Sequence, residues 1–304
     1  MNKLLVFSFF VGLFYSCSTT QPVTQIIKET VRDTVFIEKE AVKEGKSYHS
    51  AVLEDYKITD KYFPARGQDF RQKFLIMHYT ALHNERSVQV LTEQTVSSHY
   101  LVQDYNDNEI HILVGEDERA WHAGASYWMG RTNINDSSIG IEIVNEGYTL
   151  LDKKMWFFPY PEHQFKKVAQ LAKNIVQRYG IDPTFVLAHS DIAPQRKEDP
   201  GAFFPWKRLY EEYGVGAWYD DIDKYRFWNS YSESRRNDAA FIREFQGELA
   251  KYGYEIQQTG KWDEQTRRVV MAFQLHFRPE NYSGNIDRET LAIIKALNFK
   301  YRQK

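Results

Sequence analysis

Phe74-Leu75-Ile76-Met77-His78 decides how this chain is read: four apolar residues in a row end on an imidazole. So short an apolar run fits a buried strand. The pattern returns at Phe185-Val186-Leu187-Ala188-His189. Strand ends on a rigid scaffold are where functional side chains are usually presented, although a lone histidine there is more often a satisfied polar residue than a ligand. Outward from these runs, Ser138-Ile139-Gly140-Ile141-Glu142-Ile143-Val144 predicts a further strand. Tyr100-Leu101-Val102 and Ile110-His111-Ile112-Leu113-Val114 flank the turn cluster Asn106-Asp107-Asn108, the pattern of a hairpin. Residues 85–95 have helical spacing, as do residues 162–179. In the second, Phe165, Val168, Leu171, Ala172, Ile175, Val176 and Tyr179 share one face, with Pro161 near its start and Gly180 placed to end it. Strands interleaved with helices predict an α/β domain over residues 48–216, built on a mixed central β-sheet flanked by helices.

The remainder differs in character. Residues 217–235 are aromatic and charged, then polar, and read as a linker. Residues 236–304 predict a small domain of three helices, marked by Phe241, Phe245 and Leu249, then Val269, Val270 and Phe273, then Leu291, Ile294 and Leu297. Asp263-Glu264-Gln265-Thr266 and Asp287-Arg288-Glu289-Thr290 each precede an apolar helix, so each Asp is a candidate N-cap. A module this small needs its apolar residues for its own core.

Charge is nearly balanced, 39 basic against 41 acidic side chains, so no basic face argues for a nucleic-acid partner. The single cysteine, Cys17, follows a positive start, the apolar run Leu4 to Tyr15 and Ser16. That run is too short to span a bilayer, so residues 1–16 read as a secretory signal. Phe14-Tyr15-Ser16-Cys17 resembles a lipobox, with aromatic residues where the commonest form has others. Acylation at Cys17 would anchor the chain to a membrane. Ser18, in place of the aspartate that retains enterobacterial lipoproteins in the inner membrane, favours the outer one. Residues 18–47 read as a polar tether, with an edge strand or a helical stalk as alternatives.

The chemistry concentrates where Ala188-His189-Ser190-Asp191-Ile192-Ala193-Pro194 runs into Arg196-Lys197-Glu198-Asp199-Pro200-Gly201. With His78, this loop offers two imidazoles and a carboxylate, a zinc set that leaves one tetrahedral position for water. Pro200 biases Asp199 toward an extended backbone and Gly201 lets the chain turn. These segments, with Val96-Ser97-Ser98-His99-Tyr100, Ala120-Trp121-His122-Ala123-Gly124 and Ile139-Gly140-Ile141-Glu142-Ile143-Val144-Asn145, resemble the type 2 N-acetylmuramoyl-L-alanine amidases, which share a fold with peptidoglycan recognition proteins. Gly260-Lys261-Trp262-Asp263, Ala272-Phe273-Gln274 and Gly284-Asn285-Ile286-Asp287 are similar to the helical peptidoglycan-binding domain. Together with the lipobox, the order resembles Gram-negative outer-membrane lipoprotein amidases.

The resemblance implies one zinc ion held by His78, His189 and Asp199. It implies Glu142 as the proton-transferring carboxylate and Lys197 as the group facing the oxyanion. Peptidoglycan or muropeptides are the implied partner of a monomeric enzyme. His99 and His122 face the presumed cleft and could orient a ligand, touch substrate or fill a core. Tyr79, Trp121, His122 and Asn145 are the candidate contacts to muramic acid or stem peptide. Phe203, Phe204 and Trp206 are expected in the core, and His111 and His163 in structural or surface roles. The main rival is a peptidoglycan-binding module on the same fold; such proteins typically lack one metal ligand, whereas all three are present here. A wall-anchoring lipoprotein is the third reading, and it leaves the metal constellation unexplained.

Overall fold

The apolar run ahead of His78 forms strand β1 (Phe74–Tyr79), and its Phe74, Leu75, Ile76 and Met77 have no exposed surface. These facts come from a computed structural model, which describes residues 65–303. The signal segment 1–16, Cys17, the tether 18–47 and residues 48–64 lie outside the described residues.

Strand β1 is apolar on both faces because it is central. The chain continues through α1 (Asn84–Glu93), β2 (Tyr100–Val102), β3 (His111–Ile112), β4 (Tyr127–Trp128), β5 (Arg131–Thr132) and β6 (Ser138–Ile143). After β7 (Tyr148–Leu151) and β8 (Lys154–Phe157) come α2 (Glu162–Tyr179), β9 (Val186–Ala188) and the single turn α3 (His189–Ile192). The main sheet has the order β3-β2-β6-β1-β9. β2, β6, β1 and β9 are parallel, and β3 pairs antiparallel with β2. This is the mixed sheet the sequence predicts. Helix α2 lays its stripe of Phe165, Val168, Ala169, Leu171, Ala172 and Ile175 into the core. Each large side chain so buried contributes about 1.5–3 kcal/mol. Gly180 ends α2 in the left-handed conformation at φ +60°, where a side chain would be strained.

Register does the positioning. His78 on β1 lies opposite Glu142 on β6. Met77 lies opposite Ala188 on β9, so His189 follows one residue later. Three adjacent parallel strands thus deliver Glu142, His78 and His189 side by side at their carboxyl ends, the edge where open α/β sheets bind ligands.

The chain then forms α4 (Trp206–Tyr213), α5 (Asp221–Phe227), α6 (Ala239–Tyr252), α7 (Glu264–Phe277) and α8 (Arg288–Tyr301). Asp263 and Asp287 cap α7 and α8, accepting from the Thr266 and Thr290 N–H groups at 2.9 Å. The repeated sequence of this region has a physical basis. Gln246 accepts from the Gly260 N–H and donates to Thr266 Oγ1. Gln274 repeats this with the Gly284 N–H and Thr290 Oγ1. At Gly260 and Gly284, φ is +71° and +70°, and an added Cβ would meet a backbone carbonyl at 2.8 Å in both.

Two departures from the sequence reading stand out. Residues 217–235, expected as a linker, carry α5, which packs along α8, and bury Trp218 and Tyr231. The helical region also does not keep its core to itself. Phe241, Phe273 and Leu297 belong to the same buried cluster as Ile76, Ile141 and Leu187 of the sheet.

Candidate metal centre

His78 Nδ1 and His189 Nδ1 lie 2.9 Å apart, and each is 3.0 Å from Asp199 Oδ2. All three residues are buried. Three lone-pair atoms this close repel one another unless protons or a cation sit between them. In a tetrahedral site with bonds of about 2.0–2.1 Å, ligand atoms stand roughly 3.3 Å apart, so this cradle fits zinc after a small opening.

The outer nitrogens are fixed so that the inner ones face the cradle. His189 Nε2 donates to the Ala123 carbonyl at 3.1 Å. His78 Nε2 donates to His122 Nδ1 at 2.9 Å, and His122 Nε2 donates to Ser138 Oγ at 3.1 Å. Such outer partners set tautomer and ring orientation. Burial, then the neighbouring His189, pushes His78 down to about 4, which leaves its ring neutral. Burial opposes ionisation of Asp199, but the His189 and His78 rings hold its carboxyl well below the usual range. The loop carrying Asp199 is pinned by its own carbonyl, which accepts from the Ser190 N–H at 3.0 Å. Tyr160 Oη donates to the Pro200 carbonyl at 2.8 Å. The Asp199–Pro200 bond is cis, and Gly201 (φ +81°) packs so tightly on the Phe157 ring that a Cβ would lie 2.3 Å from it.

Beside the cradle is a cleft of about 160 Å³ whose lining includes Tyr79, Trp121, Glu142, Lys197 and Asp199. Burial and then Asp199 push the Glu142 carboxyl well above the ordinary range, with Lys197 working against them. Glu142 Oε2 is buried without a hydrogen-bond partner among the described residues. A buried polar atom left unpaired carries a desolvation cost and calls for an explanation. A water or substrate proton at the cradle supplies one.

The expected substrate contacts divide. Tyr79 and Trp121 line the cleft, and Trp121 is 51% exposed beneath the Arg119 guanidinium. Asn145 spends its amide on the Phe158 and Pro159 carbonyls and the Gly147 N–H, so it holds the backbone leading into β7. His122 also lines the cleft, while both its nitrogens are engaged, one on His78 and one on Ser138. His99 proves to be core: its Nδ1 accepts from the Gly140 N–H, and its Nε2 lies 3.3 Å from the Glu118 carbonyl. Phe204 and Trp206 are buried, but Phe203 is 40% exposed, with its ring edge-to-face with Trp156. His111 is partly exposed on β3, and His163 is bonded at the surface to the Asp104 carbonyl.

Arg196 escaped the sequence reading. Its guanidinium donates to the Ala123 and Ala125 carbonyls and so braces the segment that fixes His189. Its adjacency to Lys197 in a charged run hides it.

With this geometry in hand, comparison with known proteins is direct. The N-acetylmuramoyl-L-alanine amidase family profile matches residues 68–202, and a peptidoglycan binding domain profile matches residues 238–294. The Escherichia coli (strain K12) N-acetylmuramoyl-L-alanine amidase AmiD is 46% identical over 239 residues, 77% of this chain and 84% of that protein. The structure of the E. coli enzyme in complex with the substrate anhydro-N-acetylmuramic acid-L-Ala-D-gamma-Glu-L-Lys superposes with a TM-score of 0.74 at 43% identity, over 83% of this chain and 97% of that one. Pseudomonas aeruginosa AmpDh3 gives a TM-score of 0.70 at 42% identity, over 84% and 99%. Both the fold and two thirds or more of the length are shared with such enzymes, and the chain belongs to the N-acetylmuramoyl-L-alanine amidase family.

Proposed function

We propose that the protein is a zinc-dependent hydrolase of the amide joining the lactyl group of N-acetylmuramic acid to L-alanine, working in cell-wall turnover. The observation that carries this reading is the convergence of His78, His189 and Asp199 within 3.0 Å beside Glu142, whose Oε2 has no hydrogen-bond partner among the described residues. Relatives solved with anhydromuramyl peptides support muropeptides as the substrate class. Acylation at Cys17 and an outer-membrane position facing the periplasm complete the proposal, with the helical domain as the wall-binding part.

His78, His189 and Asp199 would hold a zinc ion, which would supply Lewis acidity and bring the pKa of water toward about 7. Glu142, opposite His78 in the sheet, takes the proton of the attacking water and returns it to the departing alanine nitrogen. Its raised affinity for protons suits both halves of that transfer. The Lys197 ammonium at the cleft faces the oxygen on which negative charge develops. Tyr79 and the exposed Trp121 ring offer flat surfaces for sugar or peptide.

Incubation with purified peptidoglycan, followed by mass spectrometry, is expected to release intact stem peptides that begin at L-alanine. Cuts within the peptide or the glycan would overturn the assignment. Binding without any cleavage would make the protein a receptor.

A second expected result concerns His122. An added Cβ at Gly140 would lie 2.6 Å from its ring, which is already fixed by His78 and Ser138. Gly140→Ala is therefore expected to tilt His78 and weaken zinc binding about 10–100-fold, the range for lost outer partners. Chelator competition measures this. Unchanged affinity would mean that His122 does not orient His78.

A further inference from the structure

Asp191 sits two residues beyond His189 and has no exposed surface. Its Oδ2 accepts from the Ala188 N–H at 2.8 Å, closing the start of the turn that carries His189. Its other two partners come from the C-terminal helical region. Tyr254 Oη donates to Oδ1 at 2.5 Å, and His276 Nδ1 donates to Oδ2 at 2.6 Å. The His276 ring lies flat against Trp206 at 3.9 Å, and its Nε2 has no partner among the described residues, so Asp191 is its sole polar engagement. Tyr254 is wedged against Trp128 at 4.9 Å, and the Met129 N–H donates to the Gly253 carbonyl at 3.0 Å. An added Cβ at Gly253 would lie 2.6 Å from the Trp128 ring. These are dry, shape-specific contacts rather than the loose apposition of a tethered binding module. A buried carboxylate needs full pairing, and two of the groups that pair this one belong to the helical region.

We propose that the helical region is a working part of the metal centre: Tyr254 and His276, acting through Asp191, are positioning residues that set the direction of His189. The peptidoglycan-binding part and the catalytic part are then one machine, with strain in the first reaching His189 through the Asp191 carboxylate. This inference rests on the assignment of His189 as a zinc ligand, but the placement of the ring is testable without metal.

The experiment uses the full chain with Tyr254→Phe, which removes one hydroxyl and keeps the ring on Trp128, with His276→Phe, which keeps the stack and removes the donor, and with His276→Asn, which restores a donor near the Nδ1 position. Four quantities are read: zinc affinity by chelator competition, the visible spectrum of the cobalt-substituted protein, the imidazole ¹⁵N–¹H signals of His189 in metal-free protein, and melting temperature. Tyr254→Phe and His276→Phe are expected to weaken zinc binding roughly tenfold, shift the cobalt bands and move the His189 signals, while sedimentation with insoluble peptidoglycan is unchanged. His276→Asn is expected to recover part of each change. Lower melting temperatures with unchanged cobalt spectra and unmoved His189 signals would overturn the proposal and leave Asp191 a packing residue. If the wild-type chain bound no zinc, the hydrolase reading would fail, and the His189 signals would still decide whether the helical region positions that ring.

Discussion

Glu142→Gln is expected to leave about one zinc on each chain and to slow amide hydrolysis by about 10²–10⁴, the span over which a positioned acid or base acts. Glutamine keeps the shape of the side chain and its place opposite His78, but it cannot accept a proton. None of the three metal-cradle atoms belongs to Glu142, so metal content measured by mass spectrometry should not fall. Substrate affinity should change little, because the carboxylate acts on the reacting water rather than on the bound sugar. The native environment makes the result specific. Burial and Asp199 already hold this carboxyl toward its protonated form, while Lys197 favours the charged one. Near wild-type turnover by the Gln variant would remove Glu142 from the reaction and shift the proton-transfer role to another group at the cleft.

Much of this site could be read before any coordinates were known, and the reasons are physical. Buried parallel strands need unbroken apolar runs, so Phe74–Met77 and Phe185–Ala188 announce themselves, and an imidazole or carboxylate closing such a run is conspicuous. Caps are legible for the same reason: Asp263 and Asp287 each bond a neighbour three residues away. What stays hidden is non-local or too short. Hairpin β4–β5 has only two residues per strand and turns at Met129-Gly130, and β7–β8 turns through Asp152-Lys153 with φ of +48° and +64°. Neither carries the Asn-Gly signal that usually marks such turns. His122 and Asn145 sit in motifs read as facing the cleft, but a motif does not say where a side chain's hydrogen bonds go: those of His122 go to His78 and Ser138, and those of Asn145 to nearby backbone. Asp191, two residues after His189, gives no such signal, because its partners lie 63 and 85 residues away in the chain.

His189→Ala is expected to abolish both zinc retention and hydrolysis, the largest loss any single substitution here should produce. The ring is one of the three proposed protein ligands, and its Nδ1 lies 2.9 Å and 3.0 Å from the other two donor atoms. Two ligands leave the ion held by His78 and Asp199 alone, below the three that catalytic zinc sites use. Thermal unfolding separates loss of metal from loss of fold. A ligand that binds only the native state stabilises it by RT ln(1 + [L]/Kd), about 2.7 kcal/mol at a hundred times Kd, so zinc should raise the melting temperature of the wild-type chain. The variant should lose that increment. Its metal-free form should melt close to the metal-free wild type: alanine leaves a void beside the Ala123 carbonyl but relieves the crowding of three lone pairs around one point. A variant that still bound zinc and still gained the same thermal shift would show that His189 is not a ligand. The loop from Ala188 to Gly201 would then have to present its metal-binding atoms from Asp199 and another residue. A variant unfolded in the absence of metal would instead place the role of His189 in packing against α3 and β9. The predicted pattern, zinc-free melting retained and zinc-dependent stabilisation lost, belongs to a ligand alone.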